Sequence, residues 1–383
     1  MAAMKLGYLH LGRSHHGVNR YGRMLAGEAR GREGVEVVEE SLILTGRRRD
    51  DRAALSQAAD RLSGCDLVHL QYNRSLWGEG RSQLFALRCF TANCRVPMVA
   101  SLHDIYLDNP WEGWKRRTRS PVRRLRKWYR LARRRQLVRR AVHLILDRCE
   151  RVLVCFEQER ERLRFFRQEK KIKVVGHFVE QRENLPDRQE SRLLLGVGSW
   201  RVVTMLGFIH PRKGYDLVIE ALELLPKDVL VVFAGAASEG NERALKRWEK
   251  KAAKMGQDNR LQVTGYLEDE QQARWLVATD LAVCPFRFFS ASGSMATWFS
   301  VGTPVLCHAL PQVDEYRAVS KNAFFTFSPY TKEAFASAVA AALDRVSGEP
   351  DPSILALRDH YSIRNMVDKH LDCYREALEE PSR

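Results

Sequence analysis

The chain has 383 residues, with 63 Lys or Arg against 47 Asp or Glu and a formal net charge of +16. That length is enough for two domains with proper cores, and the excess of positive charge points to an anionic partner. No apolar run approaches the length of a transmembrane helix, and the chain has no short internal repeat or low-complexity tail, which excludes a helical membrane protein and a repeat array.

From the N-terminus, Met1–Leu11 has one early Lys and a short apolar stretch, a pattern unlike a signal peptide. Met4 to Leu9 reads as a strand, Val18 to Ala29 as a helix and Val35 to Glu40 as a strand. Arg52 to Leu62 reads as a helix, Asp66 to Gln71 as a strand, Gln83 to Thr91 as a helix and Met98 to Leu102 as a strand. Next comes a run from Lys115 to Arg140 with fourteen Lys or Arg and no acid. Val122, Leu125, Tyr129 and Ala132 recur there at helical spacing beside Trp128, with Trp111 and Trp114 just before the run. This predicts a basic amphipathic helix over about 115–147, suited to an anionic bilayer surface. Two other readings stand beside it: a solvated helix face that also packs on its own domain, and a nucleic-acid patch. No nucleic-acid motif accompanies the run, so only charge supports the last. Arg151 to Phe156 and Ile172 to Val175 close this half as strands.

A polar linker is expected near Glu180 to Arg192. The second half then alternates strands (Val202 to Ile209, Val229 to Gly235, Leu261 to Leu267, Leu281 to Pro285, Pro304 to His308, Ala323 to Phe327) with helices (Gly214 to Leu225, Asn241 to Met255, Asp269 to Thr279, Lys332 to Val346). Short apolar runs between helices of ten or more residues imply a parallel sheet covered on both faces. Both halves therefore read as Rossmann-like α/β units, with a cleft expected between them. Ligands bind such sheets at the carboxyl ends of the strands. His210-Pro211-Arg212-Lys213-Gly214 lies at one such end and Phe289-Ser290-Ala291-Ser292-Gly293-Ser294 at another. The second segment runs from a strand through small residues into a helix that ends at Gly302. Backbone N–H groups and hydroxyls at the positive end of a helix dipole suit a phosphate or diphosphate, although most such turns only satisfy sterics.

At this point the residues carry a resemblance. Gly207-Phe208-Ile209-His210-Pro211-Arg212-Lys213-Gly214 resembles the Lys-Gly turn of the family 4 retaining glycosyltransferases (glycosyl transferases group 1), and Ser290-Ala291-Ser292-Gly293 followed by Gly302-Thr303-Pro304-Val305 resembles their donor-binding segment. Gly17-Val18-Asn19-Arg20-Tyr21, Asp66-Leu67-Val68-His69 and His103-Asp104 are similar to the family's first half, in order. The resemblance implies an α/β GT-B fold. Residues 1–179 would form an acceptor-binding domain and 180–360 a nucleotide-sugar domain, with the helix of 361–383 packing back on the first. It implies a metal-independent, retaining transfer of a hexose from a UDP- or GDP-sugar to a glycan, a lipid-linked molecule or another acceptor, with no cofactor beyond the donor itself.

The same resemblance gives candidate roles. Lys213, assisted by Arg212, would stabilise the charge that develops on the departing diphosphate. Ser290, Ser292, Gly293 and Ser294 would add neutral donors, Gly17 would lie near the donor, and Glu315 would supply a carboxylate or be an ordinary surface glutamate. His103 would face the transferred sugar, with Asp104, His15, His16 and Asn19 as acceptor contacts. The chain also departs from the family. Phe289 and Thr297 stand where many members carry a Glu-x7-Glu pair, and Phe208 stands where an arginine is common. That leaves a second reading, a non-catalytic protein that binds nucleotide-sugar, glycan or polyanion on the same fold. The eight cysteines form no Cys-x-x-Cys pair, and Cys155, Cys284 and Cys307 suit apolar strands. Cys89, Cys94 and His103 lack an evident fourth zinc ligand, so no metal site is expected. A reducing compartment follows, with the protein expected in the cytoplasm, peripheral to the inner face of the membrane.

Overall fold

The structure is a computed structural model that describes residues 3–14, 16–78, 80–103 and 121–380. His15, Asp104, Trp111, Trp114 and the segment 115–120 lie outside the described residues. The chain forms two compact units, Met1–Gly176 with Ile363–Arg383, and His177–Ser362.

The first unit is built on strands β1 (Met4–Leu11), β2 (Val35–Leu42), β3 (Leu67–Tyr72), β4 (Met98–Leu102), β5 (Arg151–Val154) and β6 (Ile172–Val174). They pair in the order β2-β1-β3-β4-β5-β6, all parallel. Between them run α1 (Gly17–Arg30), α2 (Arg48–Arg61), α3 (Arg81–Asn93), α4 (Pro121–Arg148) and α5 (Glu157–Leu163). One face of the sheet, through Leu9, Leu70 and Leu102, packs on Leu55, Leu87, Phe90 and Ile145 in a single core. A parallel sheet needs such cover, because crossover helices lie on its faces.

The basic helix is therefore two things at once. Its second half is a core element, with Val138, Ala141, Val142, Ile145 and Leu146 buried against the sheet. Its first half leaves Val122, Leu125 and Tyr129 at least 60% exposed, and Arg126, Arg130, Arg133 and Arg140 are exposed around them. No helix among the described residues is long and apolar enough to cross a membrane.

The second unit repeats the architecture with β7 (Arg201–Leu206), β8 (Val229–Ala234), β9 (Leu261–Val263), β10 (Leu281–Cys284), β11 (Val305–His308) and β12 (Phe324–Phe327). Their order is β12-β11-β10-β7-β8-β9, again parallel. Its helices are α6 (Arg188–Leu194), α7 (Tyr215–Ala221), α8 (Glu242–Lys254), α9 (Asp269–Ala278), α10 (Gly293–Val301), α11 (Pro311–Val319), α12 (Lys332–Leu343) and α13 (Pro352–His360). The last helix, α14 (Ile363–Glu379), belongs to the first unit, where Asp368 accepts from Arg32 Nε at 2.9 Å and the Glu376 carbonyl accepts from Arg151 at 3.1 Å.

Two expectations change. The polar linker is shorter than expected, because Asp187 caps a helix at Arg188: its Oδ1 accepts from Glu190 N at 2.8 Å. Arg188 and Arg192 of that helix both pair with Asp280. The strand expected to reach Leu267 ends at Val263, because Thr264 turns its hydroxyl onto its neighbour's carbonyl, Gly265 O, at 2.9 Å.

Candidate functional site

In the second unit the strand order reverses between β7 and β10, since β7 has β8 on one side and β10 on the other. A reversal of this kind opens a crevice at the carboxyl ends of the two strands. The loop after β7 holds Lys213, and the loop after β10 holds Ser290 to Ser294, so the two candidate segments flank that crevice.

Lys213 ends a short 3-10 turn, Pro211–Lys213, entered through His210, whose Nδ1 accepts from Arg212 N at 3.2 Å. The lysine reaches back over its own loop. Its Nζ donates to Leu206 O at 3.4 Å and lies 6.0 Å from the centre of the Phe286 ring. A Cβ placed on Gly207 would lie 3.1 Å from Nζ and 3.6 Å from Ser294 Cβ, so these three residues meet at one point. Lys213 is partly exposed as a residue, yet its ammonium sits among protein atoms, and desolvation lowers its pKa to about 8. The cation is held where it is poorly solvated, a position that an incoming anion would relieve.

The turn behind it requires glycine. Gly214 has φ +85°, and a Cβ there would lie 2.2 Å from Pro285 O and 2.6 Å from Tyr330 Oη. Tyr330 in turn donates to Pro285 O at 2.7 Å, which fixes the end of β10 against the lysine turn. Gly214→Ala is expected to cost about 3 kcal/mol or more, from a left-handed backbone plus a clash with a carbonyl that cannot retreat. Urea denaturation of the variant checks this, and a loss under about 1 kcal/mol would mean the β10 end can move.

Across the crevice, Ser292 is the N-cap of α10, with its Oγ accepting from Met295 N at 3.3 Å and lying 3.3 Å from Ser294 Oγ. Gly293 opens the helix and is exposed, while Ser290 is buried below it. The helix start therefore presents backbone N–H groups and hydroxyls at its positive end, beside Lys213. Gln312 of α11 braces the loop by donating to Phe289 O at 2.9 Å. Glu315 is partly buried one turn further along α11, within the helix rather than at its start. Arg212 is exposed at the 3-10 turn, while Lys213 Nζ is the cation that lies beside Gly207 and Ser294. Phe289 is buried and packs edge-on to Phe286 at 6.0 Å, and Thr297 donates to Gly293 O at 2.9 Å within α10. Neither position presents a carboxylate.

The first unit brings a second group of candidates to its own switch point, between β1 and β3. His103 follows β4 and is buried, with Nε2 2.5 Å from Gln71 Oε1 and its ring edge-on to Tyr21 at 4.9 Å. His16 is the N-cap of α1: Nδ1 accepts from Val18 N at 3.3 Å and Nε2 lies 3.4 Å from Ser75 Oγ. Gly17 is exposed, and a Cβ there would meet nothing within 4 Å. Asn19 is buried and committed to the loop, donating to Leu11 O and Gly12 O at 3.1 Å each and accepting from Arg23 Nε at 3.0 Å. These bonds shape the β1–α1 turn. His15 and Asp104 lie outside the described residues.

Sequence reasoning missed Gln71, Asn73 and Ser75. Asn73 Oδ1 accepts from the Ser75 hydroxyl at 2.5 Å and from Ser75 N at 2.9 Å, closing the turn after β3. The signal was present in His69 and Gln71, two polar residues alternating in an otherwise apolar strand. All eight cysteines are unpaired. Burial raises the Cys284 thiol to about 12, as expected of a small core residue.

Comparison with known proteins adds to this geometry. A family model described as Glycosyltransferase Family 4 matches residues 10–182, and one described as Glycosyl transferases group 1 matches residues 200–345. A D-inositol 3-phosphate glycosyltransferase of Xylanimonas cellulosilytica is 31% identical over 109 residues, spanning 28% of this chain and 26% of that relative. Among solved structures, Anabaena HepE in complex with UDP and glucose aligns at 16% identity over 97% of this chain and 100% of its own, with a TM-score of 0.72. Sucrose-phosphate synthase from Thermosynechococcus elongatus aligns at 17% identity over 98% of this chain and 99% of its own, with a TM-score of 0.69.

Proposed function

The chain belongs to the family 4 glycosyltransferases of GT-B fold, and from that premise we propose that it moves a hexose from a nucleotide-sugar to a glycan or lipid-linked acceptor with retention of configuration. The observation that carries the reading is Lys213 Nζ held beside Gly207 and Ser294 at the switch point of the second unit. When the glycosidic bond to the donor breaks, negative charge collects on the leaving diphosphate. A pre-placed cation and a helix N-terminus stabilise that charge more than the ground state. Lys213 and the start of α10 supply both, which supports a transfer that does without a metal. Retention is part of the proposal: the leaving diphosphate, rather than a protein nucleophile, would assist attack on its own face. A protein that only bound a neutral glycan would have no need of a desolvated lysine at this point, whereas a non-catalytic binder of nucleotide-sugar or polyanion would, and turnover of a donor separates that binder from a transferase. HepE was solved with UDP and glucose, which makes UDP-glucose the first donor to try.

The test is release of nucleoside diphosphate from UDP-, GDP-, ADP- and dTDP-sugars. Consumption of one donor, with the anomer retained in the product by proton NMR, is the expected result. Failure to bind or consume any of them would sink the reading.

The acceptor side includes the exposed half of α4. Arg126, Arg130, Arg133 and Arg140 fall on one stripe beside Val122, Leu125 and Tyr129, a pattern that suits an anionic bilayer surface. Changing these four arginines to Gln is expected to release the protein from acidic liposomes, since each basic residue near such a surface contributes about 1 kcal/mol. The attraction weakens with salt, because exposed charges are screened over about 10 Å. Sedimentation beside a duplex DNA control checks it. Binding to DNA but not to liposomes would favour a nucleic-acid surface, and binding to neither would leave the helix as a solvated face.

A further inference from the structure

One face of the first unit's sheet is polar where a buried parallel sheet is normally apolar. Tyr8 and His10 of β1, His69 and Gln71 of β3, and Ser101 of β4 all lie on it, with His103 just beyond. Each of the six is at most 6% exposed. A buried polar group without partners costs about 1–3 kcal/mol, so such a face persists only if its groups satisfy one another.

Five of them do so in a line, while His10 turns to Glu39, its Nε2 lying 2.9 Å from Glu39 Oε2. His103 Nε2 lies 2.5 Å from Gln71 Oε1, and Gln71 Nε2 lies 3.5 Å from His69 Nε2. His69 Nε2 also lies 2.9 Å from Ser101 Oγ, and its Nδ1 lies 2.6 Å from Tyr374 Oη. Tyr374 comes from α14 and lies 3.3 Å from Tyr8 Oη. Helix α1 closes the face from its other side. A Cβ on Gly22 would lie 2.9 Å from His10 Nδ1 and 3.1 Å from Gln71 Cγ, so only glycine lets the helix come this near.

The proton positions follow from chemistry. A neutral imidazole has one N–H and one lone pair, and an amide oxygen only accepts. Gln71 Oε1 therefore requires the proton of His103 on Nε2. The Ser101 hydroxyl, at 2.9 Å, is the main donor to the one lone pair on His69 Nε2, and the Gln71 amide nitrogen, at 3.5 Å, shares it as a weaker second donor. His69 must then carry its proton on Nδ1 and donate it to Tyr374. Burial, followed by the nearby His370, His103 and His10, holds His69 well below its usual pKa, so His69 stays neutral at physiological pH.

We propose that Gln71, His69 and Tyr374 are positioning residues that hold His103 in its Nε2–H tautomer and fix its ring, so that the C-terminal helix α14 is part of the support of the reaction site. The proposal rests on the reading of His103 as the residue that serves the sugar. The amide of Gln71 is suited to this task where a carboxylate would not be, because a carboxylate would draw the ring toward the charged form.

The decisive measurement is the nitrogen and carbon NMR spectrum of histidine-labelled full-length protein, with His103 assigned from His103→Ala. In the wild type His103 is expected as the Nε2–H tautomer. Gln71→Leu is expected to leave a tautomer mixture and to lower turnover of the donor identified above by about tenfold or more, with UDP affinity unchanged. Tyr374→Phe keeps the ring packing and serves if Gln71→Leu fails to fold. It is expected to move the His69 resonances and, more weakly, those of His103. An unchanged His103 spectrum in both variants would overturn the relay. A changed tautomer with full turnover would overturn the positioning role by removing His103 from the reaction, which a fully active His103→Ala would confirm separately.

Discussion

Lys213→Ala is expected to lower turnover about 100- to 1,000-fold, the loss typical when one pre-placed group that stabilises transition-state charge is removed. The effect should fall on turnover more than on folding. Lys213 is held in the native protein with a pKa lowered from 10.5 to about 8 by desolvation. Its unfolded form therefore binds more protons between pH 8 and 10.5, and stability from this group rises with pH through that window. At neutral pH the ionised lysine is a cost to the ligand-free fold. Lys213→Met is accordingly expected to melt no lower than the wild type while losing the extra stabilisation that UDP confers. Melting curves with and without UDP separate the two roles. A variant that unfolds and loses activity together would make Lys213 a structural residue instead.

The same lysine predicts the pH dependence of binding. An anion favours the protonated form, so nucleoside diphosphate binding is expected to be level below about pH 8 and to weaken above it as free Lys213 loses its proton. Near pH 8 binding should take up a fraction of a proton, visible as a buffer-dependent heat in calorimetry. A flat profile from pH 7 to 9.5 would mean that another group carries the phosphate charge.

The order of strands and helices was legible because both sheets are parallel and buried, so each strand is a short apolar run and each crossover a helix. The lysine turn and the Ser/Gly loop were legible for a different reason. The first needs glycine at a fixed point, since Gly214 meets Pro285 O so closely that no other residue fits, and the second is a run of small residues between a strand and a helix. Other elements were not legible. Helix α6 hides in a polar stretch because its stability comes from Arg188 and Arg192 on Asp280, a contact across 88 or more residues that no local pattern reveals. Helices α5 and α13 are short and mixed in composition, without a long periodic stripe. The split character of α4 escaped for a related reason. Its arginines dominate the composition, while the apolar positions that bury its second half, Val138, Ala141, Val142, Ile145 and Leu146, come late in the run or after it. At the site, the family resemblance makes Asn19 an acceptor contact. Its amide instead holds Leu11 O and Gly12 O, a role set by how the loop closes.

His103→Ala is expected to lower turnover about a hundredfold while leaving UDP affinity within about twofold of the wild type. His103 belongs to the first unit, where Gln71 and Tyr21 hold its ring, while Lys213 and the α10 start belong to the second. A residue that serves the sugar and acceptor contributes to the reacting complex and not to binding of the free nucleotide. His103→Gln is the useful companion, because its side-chain amide retains one donor near the place of Nε2 and should recover part of the loss if that hydrogen bond is what matters. Calorimetric titration with UDP, run beside steady-state turnover on the same preparations, checks the split. Parallel losses in UDP affinity and turnover would place His103 at the nucleotide. A fall in both with a lowered melting temperature would mean that the ring supports the polar face of the sheet and nothing more.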